Sequence, residues 1–289
     1  MAVQANDKCH GRNRFIRLDN AARLVNIAAM TISIDLSGRT ALITGASRGI
    51  GRGIALTLAE AGADIAINYR RDADAAQEVA EAVRAMGRRA EIYAASVEDV
   101  DACAAMVQAV VADFGGFDIL INNAGIASSG RSVADTDPAE LQRVMAVHAL
   151  APHYVSHFAL PHLRQHDRSD IIMISSVATD GYAANGAPYN MGKAASEALA
   201  LTLAKEEMPH GVRVNIVKPA LTVTDMGTRL AKAVTGVADI HDLDAGFPFG
   251  RVPTPDDVAA AVLWFVSSAN PYCSGQKLSI DGSGGGFRK

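Results

Sequence analysis

The sequence predicts an α/β protein built on one doubly wound parallel sheet of about seven strands, with helices on both faces. Short apolar runs alternate with longer segments of helical periodicity from Thr40 onward. Parallel strands joined by crossover helices produce this alternation, because each helix covers one face of the sheet. The chain has 289 residues, of which 49% are hydrophobic, so it is long enough to bury one large core without a second domain.

Local composition predicts each element in turn. The run Thr40 to Thr44 is short and apolar and leads through glycines into Arg52 to Ala61, which indicates strand, turn and helix. Between Tyr189 and Glu207, alanines and leucines recur at helical spacing. In chain order, the sequence predicts strands at about 40–44, 63–68, 90–94, 118–122, 170–175, 213–217 and 276–280, and helices near 49–61, 73–86, 99–114, 138–164, 189–207 and 255–268.

Polar and glycine residues follow four of the predicted strands. Gly45, Asn123, Ser176 and Pro219 each come shortly after such a strand. A doubly wound sheet binds its ligand beyond the carboxyl ends of the strands, where the strand order reverses. We therefore expect these four positions to meet at one edge of the sheet.

A glycine-rich turn joins the first strand to the first helix. Gly45, Gly49 and Gly51 have the spacing GxxxGxG and enclose Ser47, Arg48 and Ile50. Glycines permit a tight turn and a close approach of the backbone to a phosphate, and the free N–H groups of the following helix favour an anion. A glycine turn can also serve shape alone. Its place at the start of the α/β alternation predicts a Rossmann-type site for a dinucleotide.

Tyr189 and Lys193 stand four residues apart, and Ser176 lies thirteen residues before Tyr189. On a helix this spacing puts the phenol and the ammonium on one face. A tyrosine with a pKa near 10 is a poor acid–base catalyst at neutral pH, and a fixed positive charge lowers that pKa. A surface lysine beside a tyrosine at a helix start would give the same pair. Together with the glycine turn and the Ser176 hydroxyl, the pair predicts hydride-transfer chemistry.

These motifs together resemble the short-chain dehydrogenase/reductase family, over about Leu36 to Gly286. The motifs that carry the resemblance are the turn Thr44 to Gly51, the segment Asn122 to Gly125, the set Ser176, Tyr189 and Lys193, the segment Asn215 to Pro219 with Thr224 to Met226, and the closing segment Ser274 to Gly282. The resemblance implies one family domain over residues 30–289. It implies reversible carbonyl/alcohol interconversion, in which Ser176 orients the oxygen, Tyr189 exchanges the proton and Lys193 holds the nicotinamide ribose and lowers the pKa of Tyr189.

The resemblance and the charge pattern together predict NADP(H) as the preferred cofactor, with NAD(H) also possible. Arg48 and Arg70 are expected at the 2′-phosphate, because no acid follows the second strand until Asp72. These arginines could also merely solvate a loop end. The expected cofactor contacts are Gly45, Ser47, Arg48, Gly49, Ile50, Gly51, Arg70, Ser96, Val97, Asn123, Ala124, Gly125, Tyr189, Lys193, Pro219, Thr222 and Thr224.

Three positions depart from the family pattern. His148 stands where relatives often have an Asn that supports a proton relay behind the lysine, although a helical His is also compatible with packing or a surface position. Ser96 replaces an Asp beside the adenine, and Ala220 replaces a Gly near the nicotinamide carboxamide. These departures leave a second class of function open: a cofactor-binding regulator or scaffold with weak catalysis.

The resemblance extends to 3-oxoacyl-(acyl-carrier-protein) reductases and to sugar and secondary-alcohol dehydrogenases, and the sequence does not separate them. Substrate choice is expected from about Asp225 to Arg251, whose Ala, Gly, Val and Phe residues permit an apolar acyl, steroid-like or cyclic ketone. The family resemblance also implies a homotetramer or homodimer.

Composition and net charge limit which binding partners and which cellular location we expect for the protein. A net charge of −4 and a pI near 6.1 give no reason to expect nucleic acid or an anionic membrane as partner. Cys9, Cys103 and Cys273 have no disulfide or metal-ligand spacing, so no metal site is predicted. We expect a cytoplasmic protein that acts on a small molecule. Residues 1–29 lack a sustained apolar segment and are predicted to be a disordered leader or an extension from an upstream start.

Overall fold

The computed structural model describes residues Ile34 to Ser283, so the predicted leader at 1–29 lies outside the described residues. Seven parallel strands form one sheet in the order β3-β2-β1-β4-β5-β6-β7. The strands are β1 (Thr40–Ile43), β2 (Asp64–Tyr69), β3 (Ala90–Ala94), β4 (Ile119–Asn122), β5 (Ser169–Ile174), β6 (Val212–Pro219) and β7 (Lys277–Ile280). The predicted fold class is confirmed.

Helices cover both faces of the sheet. They are α1 (Gly49–Glu60), α2 (Ala73–Ala85), α3 (Val100–Phe114), α4 (Pro138–Met145), α5 (Ala151–Leu163), α6 (Ala178–Gly181), α7 (Ala187–Glu206), α8 (Asp225–Thr235) and α9 (Pro255–Val266). The sequence did not predict α6 or α8 as helices. Thr224 starts α8, since its Oγ1 accepts a hydrogen bond from the Gly227 N–H at 3.0 Å.

Both faces of the central strands are buried, which is why their sequences are almost continuously apolar. In β4, Ile119 and Ile121 pack into the core on one face, whereas Leu120 packs into the core on the other. In β1, Ile43 joins the first of these cores and Leu42 the second. The two cores hold the sheet rigidly between its helical layers and so fix where the strands end.

The strand order reverses beside β1, which pairs with β2 on one side and with β4 on the other. The loops after these strands are tied together at their carboxyl ends. Ala46 N donates to Asn68 O at 2.9 Å, and Thr44 N donates to Ile121 O at 3.0 Å. This crevice is the position at which doubly wound sheets bind their ligands.

The helix predicted as continuous over 138–164 is interrupted. A π-helical turn, Ala146–Leu150, separates α4 from α5, and the Ala151 N–H donates to the Ala146 carbonyl five residues earlier. Pro152 at the start of α5 has no N–H, so the His148 carbonyl lacks its α-helical donor. The wider turn holds His148, only 2% exposed, inside the protein.

Among residues 34–283, no helix is long and apolar enough to cross a membrane. The same part of the chain contains no group of three or more His, Cys, Asp or Glu side chains arranged to hold a metal ion. Cys103 is a buried free thiol and Cys273 is partly buried.

Candidate active site

The structure brings Ser176, Tyr189 and Lys193 together at the carboxyl edge. Ser176 follows β5, and Tyr189 and Lys193 lie one turn apart near the start of α7. The Ser176 hydroxyl lies close enough to the Tyr189 phenol to lower the pKa of that phenol by hydrogen bonding. Lys193 is 6% exposed, and its Nζ donates to the Ile174 carbonyl at 2.7 Å and lies 5.7 Å from the centre of the Tyr189 ring. A hydroxyl, a phenol and an ammonium are thereby held side by side.

Burial has the largest effect on the pKa values of Tyr189 and Lys193. It raises the pKa of Tyr189, and the hydrogen bond from Ser176 opposes that effect more weakly. Burial also lowers the pKa of Lys193 to about 8, while the Glu197 carboxylate acts in the opposite direction. The expectation that Lys193 lowers the pKa of Tyr189 is therefore not the leading effect in this structure, where the phenol stays protonated at neutral pH. A protonated phenol is the form that can donate a proton.

The glycine turn forms an open cradle for an anion. Gly45 and Gly49 have φ angles of +64° and +55°, and a Cβ at Gly51 would lie only 2.4 Å from the Gly45 carbonyl oxygen. The N-cap residue of α1, Arg48, makes no side-chain capping hydrogen bond, and the first turn of the helix contains no acidic residue. The free N–H groups and the positive end of the helix dipole suit a pyrophosphate. The geometry thus fits a dinucleotide cofactor.

The Thr44 hydroxyl and the Asn68 amide, which were not among the expected site residues, hold the cradle in place together with Asn123, which was expected to contact the cofactor. Thr44 Oγ1 accepts from Asn123 N at 2.9 Å and from Ala124 N at 3.0 Å. The Asn123 side chain donates to the carbonyls of Thr44 and Gly45. Asn68 Oδ1 accepts from Gly45 N at 3.1 Å. Asn123 is therefore anchored to the turn itself, and Ala124 and Gly125 follow it along the crevice wall. The position of Thr44 directly before Gly45 was the available sequence signal for it.

The predicted 2′-phosphate residues flank this cradle. Arg48 is exposed, and no side chain among residues 34–283 forms a hydrogen bond or ion pair with its guanidinium. Arg70 follows β2 and pairs with Glu98 at 3.1 Å, with 43% of the Arg70 side chain exposed. Asn68, at the end of β2, brings no negative charge. Ser96 and the buried Val97 lie on the loop after β3, beside Glu98.

The segment after β6 closes the other side of the cradle. Ala220 N donates to the Ile280 carbonyl, and the buried Thr222 hydroxyl donates to the Ala220 carbonyl at 2.9 Å. Thr224 lies over the glycine turn, since a Cβ at Gly49 would come within 3.3 Å of its methyl group. Pro219, Thr222 and Thr224 thus stand at the predicted edge, opposite Gly49.

His148 forms the back wall of the site. Its ring meets the Tyr189 ring edge-on with 5.1 Å between centroids, and Nε2 lies 2.7 Å from the Ile126 carbonyl oxygen. Within residues 34–283, Nδ1 has no hydrogen-bond partner. Burial, reinforced by Lys193, lowers the pKa of His148 to about 3, so the ring is neutral. His148 is a buried neighbour of Tyr189 and not a surface residue.

The fold and this edge define a class of protein: a Rossmann-type oxidoreductase that uses a nicotinamide cofactor. Residues 45–285 match a family model described as enoyl-(acyl carrier protein) reductase. Versicolorin reductase of Emericella nidulans is 34% identical over 260 residues, covering 88% of this chain and 97% of that protein.

Two solved structures are similar over nearly the same length. A short-chain dehydrogenase from Burkholderia cenocepacia in complex with NADP is 36% identical, with a TM-score of 0.77, covering 86% of this chain and 98% of that one. A 7α-hydroxysteroid dehydrogenase complexed with NADH and 7-oxo glycochenodeoxycholic acid is 29% identical, with a TM-score of 0.79, covering 88% and 96%. The chain belongs to the short-chain dehydrogenase/reductase family, whose members are oxidoreductases acting on carbonyl and alcohol groups.

Proposed function

We propose that this protein is an NADP(H)-preferring reductase of an apolar ketone, with Tyr189 as the proton donor. The observation that carries the proposal is the grouping of Ser176, Tyr189 and the buried Lys193, whose Nζ lies 5.7 Å from the centre of the Tyr189 ring. A regulator or scaffold without catalysis would have no need to keep these three groups together in a partly buried site.

The three side chains divide the work. The Ser176 hydroxyl donates a hydrogen bond to the carbonyl oxygen of the substrate and holds it against Tyr189. The Tyr189 phenol, kept protonated by burial, gives its proton to that oxygen as negative charge develops there. Lys193, fixed by the Ile174 carbonyl, stabilises the phenolate that remains, and it would hold the ribose of a bound nicotinamide cofactor. A bound reduced nicotinamide supplies the hydride to the carbonyl carbon.

The cofactor preference follows from charge. The exposed Arg48 and Arg70 flank the cradle and suit a phosphate dianion, whereas Asn68 offers no carboxylate to a ribose 2′-hydroxyl. The similar Burkholderia enzyme was solved with NADP, which supports the proposal, and the steroid dehydrogenase with NADH, which keeps use of both nucleotides open. Glu98 competes with a 2′-phosphate for Arg70, so we expect a preference for NADP(H) and not exclusion of NAD(H).

An apolar ketone suits the exposed apolar side chains of the turn after Ser176 and of the segment Asp225 to Arg251, from which substrate choice is expected. Tyr182, six residues after Ser176, is 59% exposed, and Leu230 and Val234 on α8 are 48% and 58% exposed. Phe249, on the segment after α8, is 87% exposed. Exposed apolar side chains in a segment that sets substrate choice favour an apolar ligand over a sugar. The steroid ketone bound by a 29% identical relative is consistent with this class, and a 3-oxoacyl thioester is a second apolar candidate.

Steady-state assays with NADPH and NADH test the function. The panel should contain a cyclic ketone, a steroid ketone, a 3-oxoacyl thioester and a sugar, with the wild type compared against Tyr189→Phe. We expect turnover of apolar ketones with NADPH and a loss on the order of 10²–10⁴-fold in Tyr189→Phe, because general acid catalysis contributes that much. Unchanged NADPH binding in the variant, measured by fluorescence titration, would confirm that the fold and cradle persist. Near wild-type turnover by folded Tyr189→Phe would exclude the mechanism, and absence of turnover on the whole panel would favour a scaffold.

We also propose that the chain forms a homodimer or homotetramer. Trp264 on α9 and Met191 on α7 are 41% and 49% exposed, although one face of each helix packs on the core. Light scattering at micromolar concentration tests this proposal, and a monomer would contradict it.

A further inference from the structure

Glu197 is a buried carboxylate directly behind the active site. It lies on α7, four residues after Lys193, and is 4% exposed. The helical spacing puts Glu197 and Lys193 on the same face, one turn apart. Burial of a carboxylate is costly unless charge and hydrogen bonds compensate for the lost water, so the partners of Glu197 show what it does.

Both carboxylate oxygens are engaged by groups from other elements. Oε1 accepts from the Ser175 hydroxyl and from the Thr179 hydroxyl, each at 2.6 Å. Oε2 accepts from Lys277 Nζ on β7. Lys218 Nζ on β6 lies 3.8 Å from Oε1 and also pairs with Asp180. These contacts join α7 to β6, to β7 and to the loop that carries Ser176.

The two hydroxyls lie on either side of Ser176. Ser175 precedes it, and the Thr179 N–H donates to the Ser176 carbonyl at 3.2 Å. Glu197 therefore holds the short turn containing Ser176 against the helix that carries Tyr189 and Lys193. A hydroxyl that must meet both a substrate oxygen and a phenol requires such a fixed turn, since misplacement by about 1 Å can cost on the order of 10²-fold in rate.

Glu197 also sets the charge balance around Lys193. The groups facing that ammonium are Tyr189 and Glu197 on α7, the Ile174 carbonyl on β5 and the neutral His148 on the π-helical turn. Beyond Glu197 lie the Lys218 and Lys277 ammonium groups and the Asp180 carboxylate. Without the negative charge of Glu197, burial and two further cations would act on Lys193 with no nearby anion on its own helix.

We propose that Glu197 is a positioning residue for the reaction: it clamps the Ser176 turn to α7 through Ser175 and Thr179, and it sustains the positive charge of Lys193. The inference rests on the proposed roles of Ser176, Tyr189 and Lys193. The two parts, clamp and charge, are carried by different contacts and are separable by substitution.

Glu197→Gln removes the charge while it keeps the size and an oxygen that can accept from the two hydroxyls. The measurement is kcat and kcat/KM for ketone reduction between pH 6 and pH 10, with melting temperature as the control for folding. Because the carboxylate raises the pKa of Lys193, its loss must move the alkaline limb of the profile to lower pH, by about one unit. The KM for the ketone should change little.

Ser175→Ala combined with Thr179→Val removes the clamp and keeps the charge. We expect kcat to fall on the order of tenfold at every pH, with the alkaline limb unmoved. Lys277→Gln is the control for the direction of the shift. It removes a cation from the same network, so it must not move the alkaline limb of the pH profile to lower pH. The Ser175→Ala, Thr179→Val variant tests the clamp even if Glu197→Gln does not fold. An unchanged kcat in that double variant would show that the clamp has no role in the reaction.

The inference is overturned if folded Glu197→Gln has the wild-type alkaline limb, even with reduced kcat, because a merely structural residue would give that result. It is also overturned if Lys277→Gln moves the limb downward like Glu197→Gln, which would indicate general loosening. Tyr189→Phe measured in the same assay separates the two proposals. An active Tyr189→Phe would remove the proposed function, whereas an inactive Tyr189→Phe with an unaltered Glu197→Gln would remove only the role of Glu197.

Discussion

Two buried carboxylates stand at opposite edges of the same sheet and have similar cationic partners. At the carboxyl edge, Glu197 is held by Lys277 and Lys218. At the amino edge, Asp170 at the start of β5 is held by Arg39 and Arg213, with Arg168 at 3.5 Å. Asp170 has no exposed surface, and Glu197 has only 4%.

The difference lies in what else the two networks contact. The arginines around Asp170 donate to backbone carbonyls at the end of α9, such as Val266 and Ser267, and so fasten that helix to the sheet. Glu197 instead accepts from hydroxyls on either side of Ser176. Similar buried ion pairs therefore serve stability at one edge and the geometry of the site at the other, because ligands bind at the carboxyl edge of such a sheet.

The largest expected effect is a loss of stability when the buried carboxylate at the amino edge is removed. Asp170→Asn leaves three arginines around a neutral amide, and breaking a buried ion network from one side costs about 3–5 kcal/mol. Urea unfolding should show that loss, while the folded fraction keeps wild-type kcat/KM. The matched control is Glu91→Gln, which removes a surface pair with Arg84 and should cost less than about 1 kcal/mol. A loss of kcat/KM with unchanged stability in Asp170→Asn would contradict the division between the edges.

Arg70→Ala tests the carboxyl edge. This substitution should weaken the binding of a ligand and leave the stability of the protein unchanged. An arginine–phosphate hydrogen bond is charge-assisted, so its loss should weaken NADPH binding by about 1.5–3 kcal/mol, roughly ten- to a hundredfold. NADH, which lacks the phosphate, should bind as before. Titration of both nucleotides decides this, with Arg71→Ala as the neighbouring control. Equal weakening of both nucleotides would remove Arg70 from the phosphate site.

His148 should be the exception: a carboxyl-edge residue with an effect on stability. Its pKa is lowered from 6.5 to about 3, so between these values the unfolded chain binds a proton that the folded protein does not. The contribution of His148 to stability is therefore present above about pH 6.5 and decreases as the pH falls, by about 2 kcal/mol at pH 5. Urea unfolding of wild type and His148→Asn at pH 7 and pH 5 measures it. The variant should lose less stability on acidification; an equal loss would contradict the neutral buried ring.

The smallest effect is expected from Glu98→Gln. The Arg70–Glu98 pair is partly exposed, so stability should change by less than about 1 kcal/mol. Because Arg70 then has no competing carboxylate, NADPH affinity should rise a few-fold while NADH affinity stays the same. Weaker NADPH binding in this variant would show that Glu98 positions Arg70 for the phosphate and does not compete with it.

The sequence by itself determined the features that depend on residues close together in the chain. The apolar runs of β1 and β4 require burial on both faces, which identifies a parallel sheet. Gly45, Gly49 and Gly51 provide backbone conformations and close approaches that other residues do not, and four-residue spacing places Tyr189 and Lys193 on one helical face. Each of these features depends on neighbours a few residues apart, and for that reason each was predictable.

Tertiary structure decided everything that depends on contacts between distant segments. Lys277 reaches Glu197 across 80 positions and Thr44 reaches Asn123 across 79, which only the order and register of the strands determine. The turn that buries His148 against Tyr189 depends on Pro152 and on packing around it. Burial also reversed the expected leading effect on the pKa of Tyr189. A sequence states which groups are present, but the loss of water around a group, and hence its charge, is set only when the fold closes over it.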